Sequence, residues 1–261
     1  MTESDPLAAI LARALGAAVT DARSEPLGTL SGVALERVRF RSEGGERTVV
    51  FERLSPRVAL EAQLLPFLAR KTDRVPTVHA RGVPHSVIPA PPWVMTEDLE
   101  SLPTACDADP RAIVEAKIAV EAAVRGDVPA LRVLGVPERT PVAIAAEIAA
   151  AANDPSVATE CAESARRLAK WPVALVHGEL ICANTATTER GVVLKRWGKA
   201  YLGCALLDLV RLTADLVGRD DAVRGIGLSR LYAERLDLIL PTEILRAAEK
   251  LDRLERKWLD R

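Results

Sequence analysis

The amino-acid sequence predicts an α+β fold in two parts, a small antiparallel sheet followed by a mainly helical remainder. Two alternating stretches, Leu35–Arg41 and Thr48–Leu54, flank the turn residues Gly44-Gly45 and read as a hairpin. From residue 110 onward, Ala, Leu and Ile recur at spacings of three and four, the period of buried helices. A polar break at 101–109 separates the two regimes. Strands first and helices later place the chain in the α+β class. The expected division is 1–100 for the first part and 101–261 for the second.

The elements follow in order. Residues 6–19 carry Leu7, Ile10, Leu11 and Leu15 at helical spacing, with Asp5 as cap and Pro6 at the first helical position. Residues 28–32 read as a loop. In the strand that follows, Leu35, Arg37 and Arg39 share one face, and Glu36, Val38 and Phe40 the other. Ser55 is expected to cap a helix running to about Arg70, bent by Pro66. Residues 76–83 and 93–96 read as two further strands. Helices are expected at 110–125, 141–152, 156–169, 204–217 (closed by Gly218), 221–236 and 242–259, the last capped by Thr242. Within 173–210, Val173–Val176 and Val192–Leu194 have the length and β-branched content of buried strands.

Composition narrows the function classes. The chain has 261 residues, enough for a large core. Its 35 basic and 36 acidic residues nearly cancel and form no dense basic run, so no nucleic-acid partner is expected. The opening residues are acidic and polar, unlike a secretory leader, and no apolar run reaches membrane-spanning length. A cytoplasmic protein without membrane contact is the expectation. Cys106, Cys161, Cys182 and Cys204 are scattered, with no CxxC pair and no metal-ligand spacing. They are expected to be small buried apolar residues in a reducing compartment. Asp107, Asp109 and Glu115 form an acidic group suited to a cationic ligand or, more commonly for such a cluster, a solvated helix start.

The chemistry concentrates in 173–210. His177-Gly178-Glu179 is followed by four residues and then Asn184, the spacing of a kinase catalytic loop. Next come the apolar strand Val192–Leu194, Arg196-Trp197, Gly203-Cys204 and Asp208-Leu209. This order resembles the aminoglycoside phosphotransferase and choline kinase superfamily of small-molecule kinases. Members typically carry His-Gly-Asp-x-x-x-x-Asn, then a strand ending in Asp-Trp, then Gly-Asp-x-x-x-Asp-Leu opening a helix. The resemblance implies a bilobal protein-kinase-like fold, with the hairpin covering the nucleotide and a hinge at Thr96-Glu97-Asp98-Leu99. By that likeness Glu97, Asp98 and Leu99 lie where backbone groups meet an adenine. The same residues read equally well as a polar linker after an edge strand.

The resemblance also assigns positions at which this chain departs. Val50-Phe51-Glu52-Arg53 is similar to the family's Val-Leu-Lys-Arg, which puts Glu52 at the phosphate-binding Lys. Strand alternation keeps Arg53 off that face. Glu61 matches the helix Glu that pairs with the Lys. Glu179 stands at the catalytic Asp; a carboxylate is retained, but one extra methylene moves it by ~1.5 Å, a misplacement that costs on the order of a hundredfold in rate. His177 is expected to support the loop through hydrogen bonds. Asn184 alone is a weak magnesium ligand, better read as satisfying backbone groups. Arg196 stands at the metal-binding Asp, where a guanidinium repels a cation, so no metal is expected. Asp208 is expected to be structural. Glu52 and Arg196 have opposite signs to the family pattern, and a salt bridge between them, with Glu61 as second acceptor, is expected.

Three functions follow from the resemblance. The first is a catalytically impaired pseudokinase that binds a small molecule or a protein. The second is an active phosphotransferase acting on a hydroxylated or aminated small molecule. ATP and Mg²⁺ would serve only this second case, with Arg53 reaching the phosphates and Asp208 or Glu179 holding the metal. The third is an interaction protein using its helical part.

Overall fold

The computed structural model describes residues 6–30, 33–82, 91–107, 109–218 and 227–259. Helix α1 (Pro6–Leu15) leads into five strands: β1 (Thr20–Leu30), β2 (Val33–Ser42), β3 (Gly45–Leu54), β4 (Val78–Gly82) and β5 (Trp93–Glu97). They form one antiparallel sheet in the order β1-β2-β3-β5-β4. The hairpin pairs Glu52 with Leu35 on one side and Val94 on the other. Leu11 of α1 packs on Val38, Phe40, Val49, Phe51 and Met95, so the first helix closes one face of the sheet. This helix ends at Leu15 rather than at 19, and the Asp5 cap lies outside the described residues.

The first strand was not expected. Most of β1 is exposed and it lacks an apolar alternation, so hydrophobic period could not reveal it. Its backbone pairing with β2, irregular between Pro26 and Gly28, holds it instead. Helix α2 (Glu61–Ala69) starts five residues later than expected, after a 3₁₀ turn at Pro56–Val58. Ser55 makes no capping bond there. Pro66 sits inside α2 and has no N–H for the carbonyl of Ala62. Arg81 Nη1 donates to that carbonyl at 3.1 Å, which lets the helix continue to Ala69.

The remainder is mainly helical, with α3 (Arg111–Val124), α4 (Val128–Val133), α5 (Pro141–Ala152), α6 (Pro155–Leu168), α7 (Leu206–Gly218), α8 (Leu228–Arg235) and α9 (Thr242–Trp258). Thr140 and Asp154 cap α5 and α6. Thr242 is the first helical residue of α9 rather than its cap; Pro241 holds the cap position without a side-chain bond. The expected helix at 221–236 is described only from Leu228, and residue 83 of the strand expected at 76–83 likewise lies outside the described residues.

Among these helices lie β6 (Glu138–Arg139), β7 (Val173–Val176), β8 (Thr185–Thr188), β9 (Gly191–Leu194) and β10 (Tyr201–Cys204). Strands β6-β10-β7 form one small sheet and β8-β9 a hairpin. The sequence placed Cys204 in a helix, but Tyr201–Cys204 pairs with β7 and the helix opens at Leu206. One large core runs from Leu64, Leu65 and Leu68 of α2 through Trp197 to Ala248 and Leu251 of α9, joining sheet part and helical part.

The cysteines depart from expectation. Cys161 and Cys204 are buried thiols, but Cys106 and Cys182 are disulfide-bonded across 76 residues, with Cα atoms 5.6 Å apart. Spacing along the sequence hides this pair, because its partners meet only when the 3₁₀ turn at Ala105–Asp107 packs beside the turn at Cys182–Asn184. Among the described residues, no helix is long and apolar enough to cross a membrane.

Candidate functional site between sheet and helices

The loop leaving β7 is held from below. Gly178 has φ +82°, and a Cβ there would lie 2.1 Å from the carbonyl oxygen of Lys199, so only glycine fits. Asp208, in the first turn of α7, accepts from the backbone N–H of His177 at 2.7 Å and of Gly178 at 3.0 Å. Fully buried Lys117 of α3 lies 3.2 Å from the same carboxylate, also pairs with Glu121, and donates to the carbonyl of Leu175 at 2.8 Å. Burial alone would lower the Lys117 ammonium, but Glu121 and Asp208 outweigh it and hold it above the ordinary lysine value. Arg211 of α7 donates to the carbonyl of Gly178 at 2.9 Å and to Asp252 of α9 at 3.0 Å.

His177 is fully buried, and burial lowers it below its ordinary value, so the ring is neutral. Its Nε2 lies 2.7 Å from the carbonyl of Lys195, and Nδ1 accepts from the Glu179 N–H at 3.3 Å. This assigns the proton to Nε2. The ring lies against Trp197, with centroids 4.6 Å apart. The Glu179 carboxylate accepts from Lys199 Nζ at 2.8 Å. Asn184 Nδ2 donates to the carbonyl of Glu179 at 2.8 Å, closing the loop on itself.

Arg196 has a left-handed backbone, φ 62°, and a side chain only 4% exposed. Its guanidinium donates to Asn184 Oδ1 and to the carbonyl of Ala183, both at 3.1 Å, and to Glu100 Oε2 at 2.8 Å. Lys195 Nζ donates to Glu100 Oε1 at 3.2 Å. One carboxylate therefore receives two neighbouring cations. Burial lowers the Lys195 ammonium, and Glu100 offsets part of that effect.

The expected Arg196–Glu52 salt bridge does not form. Glu100, three residues past the hinge strand β5, takes the guanidinium, because the turn after β5 brings its carboxylate to the β9 end from which Lys195 and Arg196 emerge. Glu52 is nonetheless buried nearby, 7% exposed, and accepts from the Thr96 hydroxyl at 3.3 Å. Burial raises its carboxyl to about 7, with the Arg196 charge pulling the other way. Glu61 is not a second acceptor for Arg196: its Oε1 accepts from the backbone N–H of Trp197 at 2.8 Å. Burial, then the charge of Glu52, raises Glu61 well above the usual carboxylate range. Glu52 Oε2, Glu61 Oε2 and Arg196 Nε are buried without hydrogen-bond partners among the described protein atoms.

The hinge residues act as ties. Glu97 pairs with Arg190 and accepts from the Thr77 N–H at 2.7 Å; Asp98 accepts from Arg37 Nε at 2.6 Å. Leu99 packs on Ala186 and Val193 beneath. Arg53, on the strand face opposite Glu52, pairs with Glu36 at 3.0 Å and lies over the ring of Phe51.

These residues do not fit a magnesium ion. Among the described residues no three His, Cys, Asp or Glu side chains converge as metal ligands. Asn184 Oδ1 already accepts from a guanidinium, and a fixed cation stands beside it. At Glu52 a buried carboxyl stands where the resemblance implies a lysine.

Sequence reasoning missed Glu100, Lys195, Lys117 and Arg211. Two left a signal. Lys117 and Glu121 stand four apart within an apolar helix, a spacing that pairs charges. Lys195-Arg196 follows a wholly apolar strand and so demands buried acceptors. Which carboxylate answers was fixed only by the tertiary path.

Scans of family models and of curated protein sequences return no match to this chain. Solved structures do. A type VIII aminoglycoside-3′-phosphotransferase superposes with a TM-score of 0.63 at 19% identity, covering 90% of this chain and 94% of that one. The macrolide 2′-phosphotransferase MphH of Brachybacterium faecium gives 0.60 at 19% identity, over 97% and 90%. The aminoglycoside phosphotransferase APH(3″)-Id of Streptomyces rimosus, in complex with ADP and streptomycin, gives 0.57 at 21%, over 96% and 99%. This chain has the fold of the aminoglycoside phosphotransferases. The expected bilobal, kinase-like architecture is thereby established, with the small sheet and the helical part as its two bodies.

Proposed function

We propose that this phosphotransferase-fold protein is catalytically impaired and uses its cleft to bind a small molecule or a protein partner rather than to transfer phosphate. The observation that carries the proposal is the buried Arg196 guanidinium, fixed by Asn184 and Glu100 at the position that the sequence register equates with a metal-binding Asp. Phosphoryl transfer depends on neutralising the charge of the phosphates. The ordering of charge here opposes it twice, with a cation for the metal carboxylate and a carboxyl at Glu52 for the lysine. The retained Glu179 does not restore activity, because a hydroxyl that it would deprotonate has no positioned phosphate to attack.

Calorimetric titration with ATP, with and without Mg²⁺, tests the reading. The expected result is no magnesium-dependent binding below the millimolar range. Submillimolar, magnesium-dependent binding with phosphate turnover by the unmodified protein would overturn it. The paired change Glu52→Lys with Arg196→Asp is expected to bind Mg²⁺-ATP at least tenfold more tightly than either single change.

A further inference from the structure

Away from the cleft, a cavity of about 290 Å³ lies among α3, α4, the start of β7 and the end of α8. Its walls are apolar, formed by Val124, Leu131, Trp171, Leu175, Leu236 and Leu238. Its floor is polar but closed on itself. Buried Glu121 accepts from Lys117 with one carboxylate oxygen and from the Tyr232 hydroxyl with the other, at 2.5 Å for the hydroxyl. The rim is different. Strand β7 is an edge, since its sheet runs β6-β10-β7. Opposite Leu175, Leu202 turns its N–H away from β7, to the carbonyl of Pro137 at 2.8 Å. The Leu175 carbonyl turns the other way, to Lys117 at 2.8 Å. Antiparallel pairs alternate in this respect. Val173, two residues earlier and opposite Cys204, therefore also turns its N–H and carbonyl to the open edge. Val173 and Arg125 both line the cavity and are both exposed. The Arg125 guanidinium has no ion pair among the described residues.

We propose that this cavity is a binding site for a free α-amino acid with a large apolar side chain. The side chain fills the space between the apolar walls, beside the ring of Trp171. The α-carboxylate accepts from the Val173 N–H and pairs with Arg125, and the α-ammonium donates to the Val173 carbonyl. The ligand thus adds to the open edge of β7 as one residue of a neighbouring strand would. Size agrees with this chemistry. A dry cavity of about 150 Å³ takes benzene, so this one takes ~12 non-hydrogen atoms, the size of phenylalanine. An apolar amine alone would leave Arg125 and the Val173 N–H unmatched, and an apolar acid alone would leave the Val173 carbonyl unmatched. A small side chain would leave the walls unfilled and forgo their burial. The site lies at the opposite end of β7 from His177-Gly178, so the inference stands whether or not the cleft binds a ligand.

Titration calorimetry of the full chain with L-phenylalanine at pH 7 tests the proposal. One site per chain is expected, with a Kd below about 1 mM. Phenethylamine, which lacks the carboxylate, and 3-phenylpropionate, which lacks the ammonium, are each expected to bind about tenfold more weakly or worse, and glycine not at all. Arg125→Gln is expected to weaken L-phenylalanine by about tenfold. In the unmodified protein, hydrogen exchange at the Val173 N–H is expected to slow by about fivefold or more when L-phenylalanine is bound, with residues 177–184 and β3 unchanged. That measurement needs no variant to fold. Absence of binding at about 10 mM would overturn the proposal, as would undiminished binding of phenethylamine or 3-phenylpropionate. Slowed exchange at residues 177–184 in place of Val173 would put the ligand in the cleft and overturn it too. Tighter binding of N-acetylphenylalanine amide than of the free amino acid would make the edge a peptide-docking strand, and would likewise refute it.

Discussion

Replacing Glu100 by Gln tests the charge arrangement of the cleft directly. Glu100 accepts from Arg196 at 2.8 Å and from Lys195 at 3.2 Å, with the three side chains 20%, 4% and 9% exposed respectively. The amide keeps one acceptor, so one contact survives. It presents an N–H₂ to the other cation and leaves two adjacent positive groups without a counter-charge. Charge-assisted hydrogen bonds are worth about 1.5–3 kcal/mol each, and breaking a buried ion pair costs about 3–5. The partial exposure of Glu100 puts the expected loss at the lower end, about 3 kcal/mol. Urea unfolding followed by tryptophan fluorescence reads this as a midpoint lowered by about 1 M, for a slope of about 3 kcal/mol per M in a chain of this size. Adding Arg196→Met removes one of the stranded cations, so the double variant is expected to recover at least about 1 kcal/mol over Glu100→Gln alone. A midpoint shift under about 0.3 M, or a double variant no more stable than the single one, would refute the argument that Glu100 neutralises this pair.

Other consequences are as specific. Glu52 is raised to about 7 from its ordinary 4.5 by burial, so between those values the folded state holds a proton that the unfolded state has lost. The protein should therefore lose stability as pH rises through that window, by up to about 1.4 kcal/mol per unit; Glu52→Gln should flatten the slope in thermal melts from pH 5 to 8, and an unchanged slope would assign it elsewhere. Lys117→Met strands Glu121 and Asp208 in the core, and an expected loss of about 3–5 kcal/mol is measurable by chemical denaturation. Gly178→Ala places a methyl against the Lys199 carbonyl at a left-handed position; the strain, on the order of 1–3 kcal/mol, should appear as a lower melting temperature, together with faster hydrogen exchange at residues 177–179.

The hairpin, the hinge strand, β7, β9 and most helices were legible because period and turn residues state them locally. Val173–Val176 came out as read, since a short β-branched run flanked by Pro172 and His177-Gly178 admits little else. Strand β1 was illegible because its stabilisation is backbone pairing with a neighbour, which leaves no side-chain pattern. The 3₁₀ start before α2 escaped because Ser55-Pro56 looks like a cap in sequence, whatever follows in space. In the site, the spacing of His177, Glu179, Asn184, Arg196 and Asp208 located the loop and its neighbours. It could not name Glu100 as the partner of Arg196, nor Cys106 as that of Cys182. Both pairings depend on how the segment after the hinge crosses the loop, and that crossing is set by packing across the core.

The Lys117–Asp208 contact has a bearing on how such a protein can change over time. The carboxylate that shapes the His177-Gly178 turn draws its counter-ion from α3 and not from anything that enters the cleft. The turn thus keeps its form whatever occupies, or has ceased to occupy, the space above it. A scaffold wired internally in this way leaves the residues around its mouth free to change without unfolding the chain.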